Sequence, residues 1–156
     1  MAFINFFTGT GDFECIVYIK GLLFASLLIY AAVTDIIRRE IDNFVPAFIL
    51  VASFIGAGGS FWGAVITALP LFIPAIIKNG SVGGGDIKLM FACGALLGVW
   101  GGLTQLIIAL ALVALFSFGI LIKKDLTACK KTAIPLAPFL CAGGIASYII
   151  TNTGGI

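Results

Sequence analysis

Between positions 43 and 77 the chain carries no charged residue, and the same holds from 89 to 122. One spanning helix takes about 20 apolar residues. Uncharged runs of 35 and 34 positions are therefore too long for one crossing of a bilayer and long enough for two. Each run also holds a break near its middle, Gly56-Ala57-Gly58-Gly59-Ser60 in the first and Trp100-Gly101-Gly102 in the second. Single apolar stretches flank them at 16–34 and 135–151. The last opens on Pro135 and Pro138, which a first helical turn tolerates. The pattern predicts an all-α, polytopic membrane protein of about six transmembrane helices, near 16–34, 44–56, 61–78, 86–100, 103–122 and 135–151. Composition agrees, with 61% hydrophobic and 10% charged residues against about 25% charged in soluble domains. So little polar surface excludes a cytosolic enzyme, a disordered chain and a nucleic-acid-binding domain. The expected surroundings are a lipid bilayer, with no nucleic acid as partner.

Orientation follows from the basic residues. Arg38 and Arg39 fall in the first loop, and Lys78 in the third, with Lys88 just inside the fourth helix. Lys123, Lys124, Lys130 and Lys131 fall in or beside the fifth, and Lys20 is the exception. Short loops rich in Lys and Arg stay in the cytoplasm, so both termini are expected outside, in a multi-pass protein of the cytoplasmic (inner) membrane. Phe61, Trp62 and Trp100 then read as an aromatic belt at the outer boundary. Residues 1–15 lack a basic start and carry Asp12 and Glu14, which does not fit a cleavable signal peptide. One transmembrane domain over 1–156 is expected.

Chemistry emerges by subtraction. The chain has no histidine, so Ser-His and Cys-His nucleophiles and the common zinc sites are excluded. Cys15, Cys93, Cys129 and Cys141 show no metal-ligand spacing and read as small membrane residues. No metal and no cofactor are expected. Of the acids, Asp12 and Glu14 lie near the outer terminus and Asp125 among lysines. Glu40 and Asp42 lie beside Arg38 and Arg39, where a surface ion pair is the plain reading.

Asp35 and Asp86 remain. Asp35 ends a helix running inward, and Asp86 begins one running outward, so both sit at one depth. Singly, each reads as a helix cap or an interface anchor. As a pair they read differently, because acids at membrane depth are rare and usually functional. Two carboxylates over one water share a proton. The charged one can take a proton from the water while the protonated one polarises a peptide carbonyl. That is aspartyl proteolysis, with Asp35 and Asp86 as the catalytic pair. Gly83, Gly84 and Gly85 precede Asp86 and would let an unwound substrate backbone approach. Lys88 reads first as a snorkelling anchor and second as a substrate contact. A rival reading is a small ion-coupled transporter or channel subunit with Asp35 and Asp86 as ion or proton sites, but it gives no reason for both acids to lie at one face. A non-catalytic scaffold packed through its glycines is a further alternative.

At Gly83-Gly84-Gly85-Asp86-Ile87-Lys88-Leu89 the sequence resembles the Gly-x-Gly-Asp membrane aspartyl proteases, specifically the type IV prepilin leader peptidases. Asp35-Ile36-Ile37-Arg38-Arg39-Glu40-Ile41-Asp42-Asn43 resembles the stretch around that family's first catalytic aspartate, with Asp42 in place of a usual proline. Pro135-Leu136-Ala137-Pro138-Phe139 is similar to a family segment near the last helix. The resemblance runs from about 16 to 150. It implies an enzyme that removes the short basic leader of prepilins or pilin-like proteins at the cytoplasmic face, just before the hydrophobic segment. Many relatives also N-methylate the new terminus through a large insertion after the first helix. The short first loop here, without a CxxC, resembles the small, peptidase-only forms of tight-adherence pilus systems.

Overall fold

The computed structural model describes residues 10–54, 59–77, 83–123 and 135–153. Its elements are all helical: α1 (Thr10–Arg38), α2 (Phe44–Ser53), α3 (Phe61–Ile77), α4 (Gly84–Lys123) and α5 (Ala137–Thr153). Helix is what such apolar segments must form in lipid, because each then satisfies its own backbone. The all-α expectation holds. α1 and α4 are long and apolar enough to cross a bilayer, and the other three are shorter apolar helices.

The expected fourth and fifth helices are two limbs of α4 that meet at Gly98, where φ is 75° and ψ is −177°. That backbone region is essentially closed to residues with a side chain. The limbs fold back on each other. A Cβ on Gly102 would lie 3.2 Å from the Cα of Gly94, whereas eight residues of straight helix span about 12 Å. The break thus falls at Gly98, ahead of the expected Trp100-Gly101-Gly102. Those two glycines are helical and serve packing instead. Ser147 Oγ donates to the Gly101 carbonyl at 2.5 Å, and Gly102 rests against the side chain of Thr67.

Neighbouring helices run antiparallel. On α1 and α5, Tyr148 OH donates to the Val17 carbonyl at 2.6 Å, Leu28 meets Gly144, and Asp35 meets Ala137. α2 returns beside α1, where Lys20 Nζ reaches the Ser53 carbonyl at 3.4 Å. α3 packs on the first limb of α4 almost backbone to backbone, Gly63 against Gly94 and Gly98. The second limb descends along α5, with Gln105 Nε2 donating to the Leu140 carbonyl at 3.0 Å. Further along it, the rings of Phe116 and Phe139 lie 5.5 Å apart. One end of the bundle therefore gathers residues 35–43, 83–88 and 135–137. The other gathers Ser60, Gly98 and Tyr148, with Phe61, Trp62 and Trp100 exposed there.

Phe24, Leu28, Ile49, Leu89, Met90 and Leu140 form the closed centre. The outside is apolar too: Leu22, Ile37, Phe48, Phe72 and Leu115 all face outward. Apolar cover of this extent suits lipid and not water. Cys93 and Cys141 are buried and Cys15 is exposed. Lys78, Lys124, Asp125, Cys129, Lys130 and Lys131 lie outside the described residues.

Candidate active site

The last turns of α1 build one wall. Thr34 Oγ1 bonds back to the Tyr30 and Ala31 carbonyls at 3.0 Å each, so its hydroxyl is used up within the helix. Asp35 follows, 8% exposed, with its carbonyl closing the helix on the Arg39 N–H at 2.9 Å. Arg39 adopts φ 54°, the left-handed conformation that turns a chain out of a helix and that glycine more often supplies. The short connection then reaches α2, and Asp42 Oδ2 accepts the Tyr30 hydroxyl at 3.1 Å.

α5 does not line the cavity among the described residues but holds one of its acids. The first N–H groups of any helix have no partner within it. Here the N–H of Ala137, fully buried, donates to Asp35 Oδ2 at 3.0 Å. A carboxylate held by the start of a helix cannot swing freely, so this bond fixes the direction in which Asp35 faces.

The second wall is the start of α4. Asp86 N–H and Ile87 N–H both point at the Gly83 carbonyl, at 3.1 and 3.4 Å, which places the Asp86 carboxyl in the first turn. Its Oδ1 is buried and meets no donor among the described residues. Asp35 and Asp86 line one cavity of about 290 Å³ and interact electrostatically. Gly83, Gly84 and Gly85 form the side of that cavity next to Asp86. Two of the three have steric reasons to be glycine. A Cβ on Gly85 would come within 2.9 Å of Ile41 Cβ, and one on Gly83 within 3.0 Å of Asp86 Oδ2.

Sequence reasoning singled out Asp35, Asp86 and the three glycines, and the fold brings all five together. Lys88 lies apart, exposed at the rim, with Nζ donating to Asn43 Oδ1 at 2.9 Å. The expected ion pairs of Glu40 and Asp42 with Arg38 and Arg39 do not form among the described residues; Asp42 takes the Tyr30 hydroxyl instead, and Glu40 and Arg39 line the cavity. Ala137 and Asn43 were not foreseen. The prolines flanking Ala137 were the one available sign, since they mark where a helix start with free N–H groups would fall. Among the described residues no three ligating side chains gather as a metal site would need.

Comparison with known proteins gives this arrangement a family. The model of the type IV leader peptidase family matches residues 22–121, which include both acids and the glycine run. The chain belongs to that family. It is 34% identical over 138 residues to the prepilin leader peptidase/N-methyltransferase of Bacillus subtilis (strain 168), covering 83% of this chain and 54% of the relative. The chain thus spans about half the length of the curated relative it matches. No solved structure matches it.

Proposed function

We propose that this protein is a membrane aspartyl endopeptidase that removes the short basic leader of type IV prepilins or pilin-like proteins, with Asp35 and Asp86 activating one water. The carrying observation is that the two acids, distant in sequence, line a single cavity at the end of the bundle, with Asp86 Oδ1 buried and unpartnered there among the described residues. In the reaction one carboxylate accepts a proton as the water oxygen attacks the scissile carbonyl carbon. The other, protonated, donates to the carbonyl oxygen, and a proton then passes to the departing amine. Asp35 Oδ2 is engaged by Ala137, which leaves its Oδ1 for the shared proton. The glycine wall leaves room for a substrate lying extended beside Asp86.

The same reading takes the chain across the inner membrane six times, with termini outside and the cavity at the cytoplasmic face. The reversal at Gly98 supports the crossing number, because it turns one long apolar element into two. Exposed Arg38, Arg39 and Lys88 at the cavity end support the face. Peptidase action without methyl transfer is proposed because only a short connection joins α1 to α2, where the resemblance places the methyltransferase insertion. Ion transport is the weaker reading, since the acids lie at one end rather than near the midplane. The test is direct: purified protein in detergent should shorten a prepilin-like polypeptide by its leader, and failure to cut would overturn the proposal.

A further inference from the structure

Two large apolar grooves run along the outside of the bundle. One, about 570 Å³, lies between α1 and α5 and is lined by Val17, Gly21 and Tyr148 among others. It belongs to the end away from the acids. The other, about 510 Å³, lies between α2, α3 and the first limb of α4, with Pro46, Ala47, Leu50, Leu69, Phe72 and Phe91 in its walls. Both volumes are of the size that holds a ligand, about 300–1,000 Å³.

Of the two, the second groove lies next to the acids. Asp86 lines the cavity, and the next two residues, Ile87 and Lys88, line the groove. The seam is a single hydrogen bond, Lys88 Nζ to Asn43 Oδ1 at 2.9 Å, with Asn43 on the cavity side and Lys88 on the groove side. Among the described residues Lys88 is also the groove's one charged residue. An ammonium settles where apolar surroundings give way to polar ones, so Lys88 marks the mouth and the rest of the groove runs into the apolar layer.

We infer that the groove between α2, α3 and the first limb of α4 is the docking site for the apolar membrane segment of the polypeptide being cut. The inference rests on the proposed peptidase reading. A polypeptide whose scissile bond lies over Asp35 and Asp86 must continue somewhere, and on the membrane side its next residues meet lipid or protein. The groove beside the cavity offers Pro, Ala, Val, Leu, Ile and Phe surface, with Lys88 the one polar side chain among its described lining residues. An apolar helix needs nothing else. The walls at Ala47 and Ala68 are small, which is where helices in lipid approach closest. The groove between α1 and α5 cannot serve, because its occupant would begin at the opposite end from the acids.

The experiment uses the purified full chain and two synthetic substrates. The long one joins a basic leader and scissile region to a Leu/Ala membrane helix; the short one stops just past the scissile region. Ala47 is exposed on the groove wall, so Ala47→Trp fills the groove without entering the core. Ala25→Trp fills the other groove and is the control. Ala47→Trp is expected to lower kcat/KM on the long substrate roughly ten- to a hundredfold, mainly through KM. Ala25→Trp should leave that value within about twofold of wild type, and the short substrate should be cut slowly and equally by all three proteins. Leu69→Trp, on the α3 wall, should repeat the Ala47→Trp result. Equal loss in Ala47→Trp and Ala25→Trp, no loss in Ala47→Trp, or the same loss on both substrates would each overturn the docking site. A wild-type protein that cuts neither substrate overturns the peptidase reading itself.

Discussion

The N–H of Ala137 donates to Oδ2 of Asp35 at 3.0 Å, joining the first residue of α5 to the last turn of α1. Both partners are buried. The bond ties the placement of a proposed catalytic acid to a helix that carries no acid of its own. The start of α5 therefore sets where Asp35 faces.

Ala137→Pro deletes that donor at a position where a helix start accepts proline. Leaving a buried carboxylate short of one hydrogen bond costs about 1–3 kcal/mol. Leader cleavage should fall about tenfold or more, with a lower thermal midpoint in detergent. Ala137→Gly keeps the N–H and should retain most of the activity, so comparing the two isolates the bond.

Asp35→Asn and Asp86→Asn preserve shape and remove the ionisable group. Each should reduce leader cleavage by at least about a thousandfold. In Asp35→Asn the side-chain amide can still accept from Ala137 through its carbonyl oxygen, so thermal midpoints should stay close to wild type. Wild-type turnover in either variant would falsify the two-acid mechanism. EDTA at millimolar concentration should leave the wild-type rate unchanged.

Gly85→Ala places a methyl group 2.9 Å from Ile41 Cβ and should push the start of α4 away from the α1–α2 connection. Cleavage is expected to drop about tenfold through displacement of Asp86. Ile41→Gly removes that Cβ and clears the space. The double variant should recover a large part of the loss, and a double-mutant cycle reads the coupling as about 0.5–3 kcal/mol. Additive losses would show that the clash is not the cause.

Gly98→Ala asks a side chain to adopt φ 75° and ψ −177°, which costs on the order of 1–3 kcal/mol. A lower thermal midpoint is expected. Gly84→Ala is its counterpart, since a Cβ there meets nothing within 4 Å, and its midpoint should not move.

Asp35 and Asp86 were legible because the sequence isolates them: each borders a long apolar stretch, and few other charges compete for attention. The glycine run was legible for the same reason. The position of the reversal was not. Gly98, Gly101 and Gly102 are equivalent on paper, and only the packing of Gly101 on Ser147 and Gly102 on Thr67 leaves Gly98 as the residue free to bend. The partner of Asp35 was illegible because the donor is a backbone N–H, which no residue letter encodes. The fate of Asp42 turned on Tyr30, twelve residues away, and adjacency to two arginines misdirected the expectation.

The reversal at Gly98 also fixes how far the Asp86 limb can reach. Residues 84–97 rise about 21 Å, and the ten residues of α2 about 15 Å, against a hydrocarbon layer of about 30 Å. Anchored at the Trp62 and Trp100 end, such short limbs would hold the two acids below the level of the surrounding lipid surface, at the bottom of a dimple open to water. The thickness of the host bilayer then becomes a variable of the chemistry: short-chain lipids that match the limbs relieve the mismatch, and long-chain lipids force the sheet to pucker around the site.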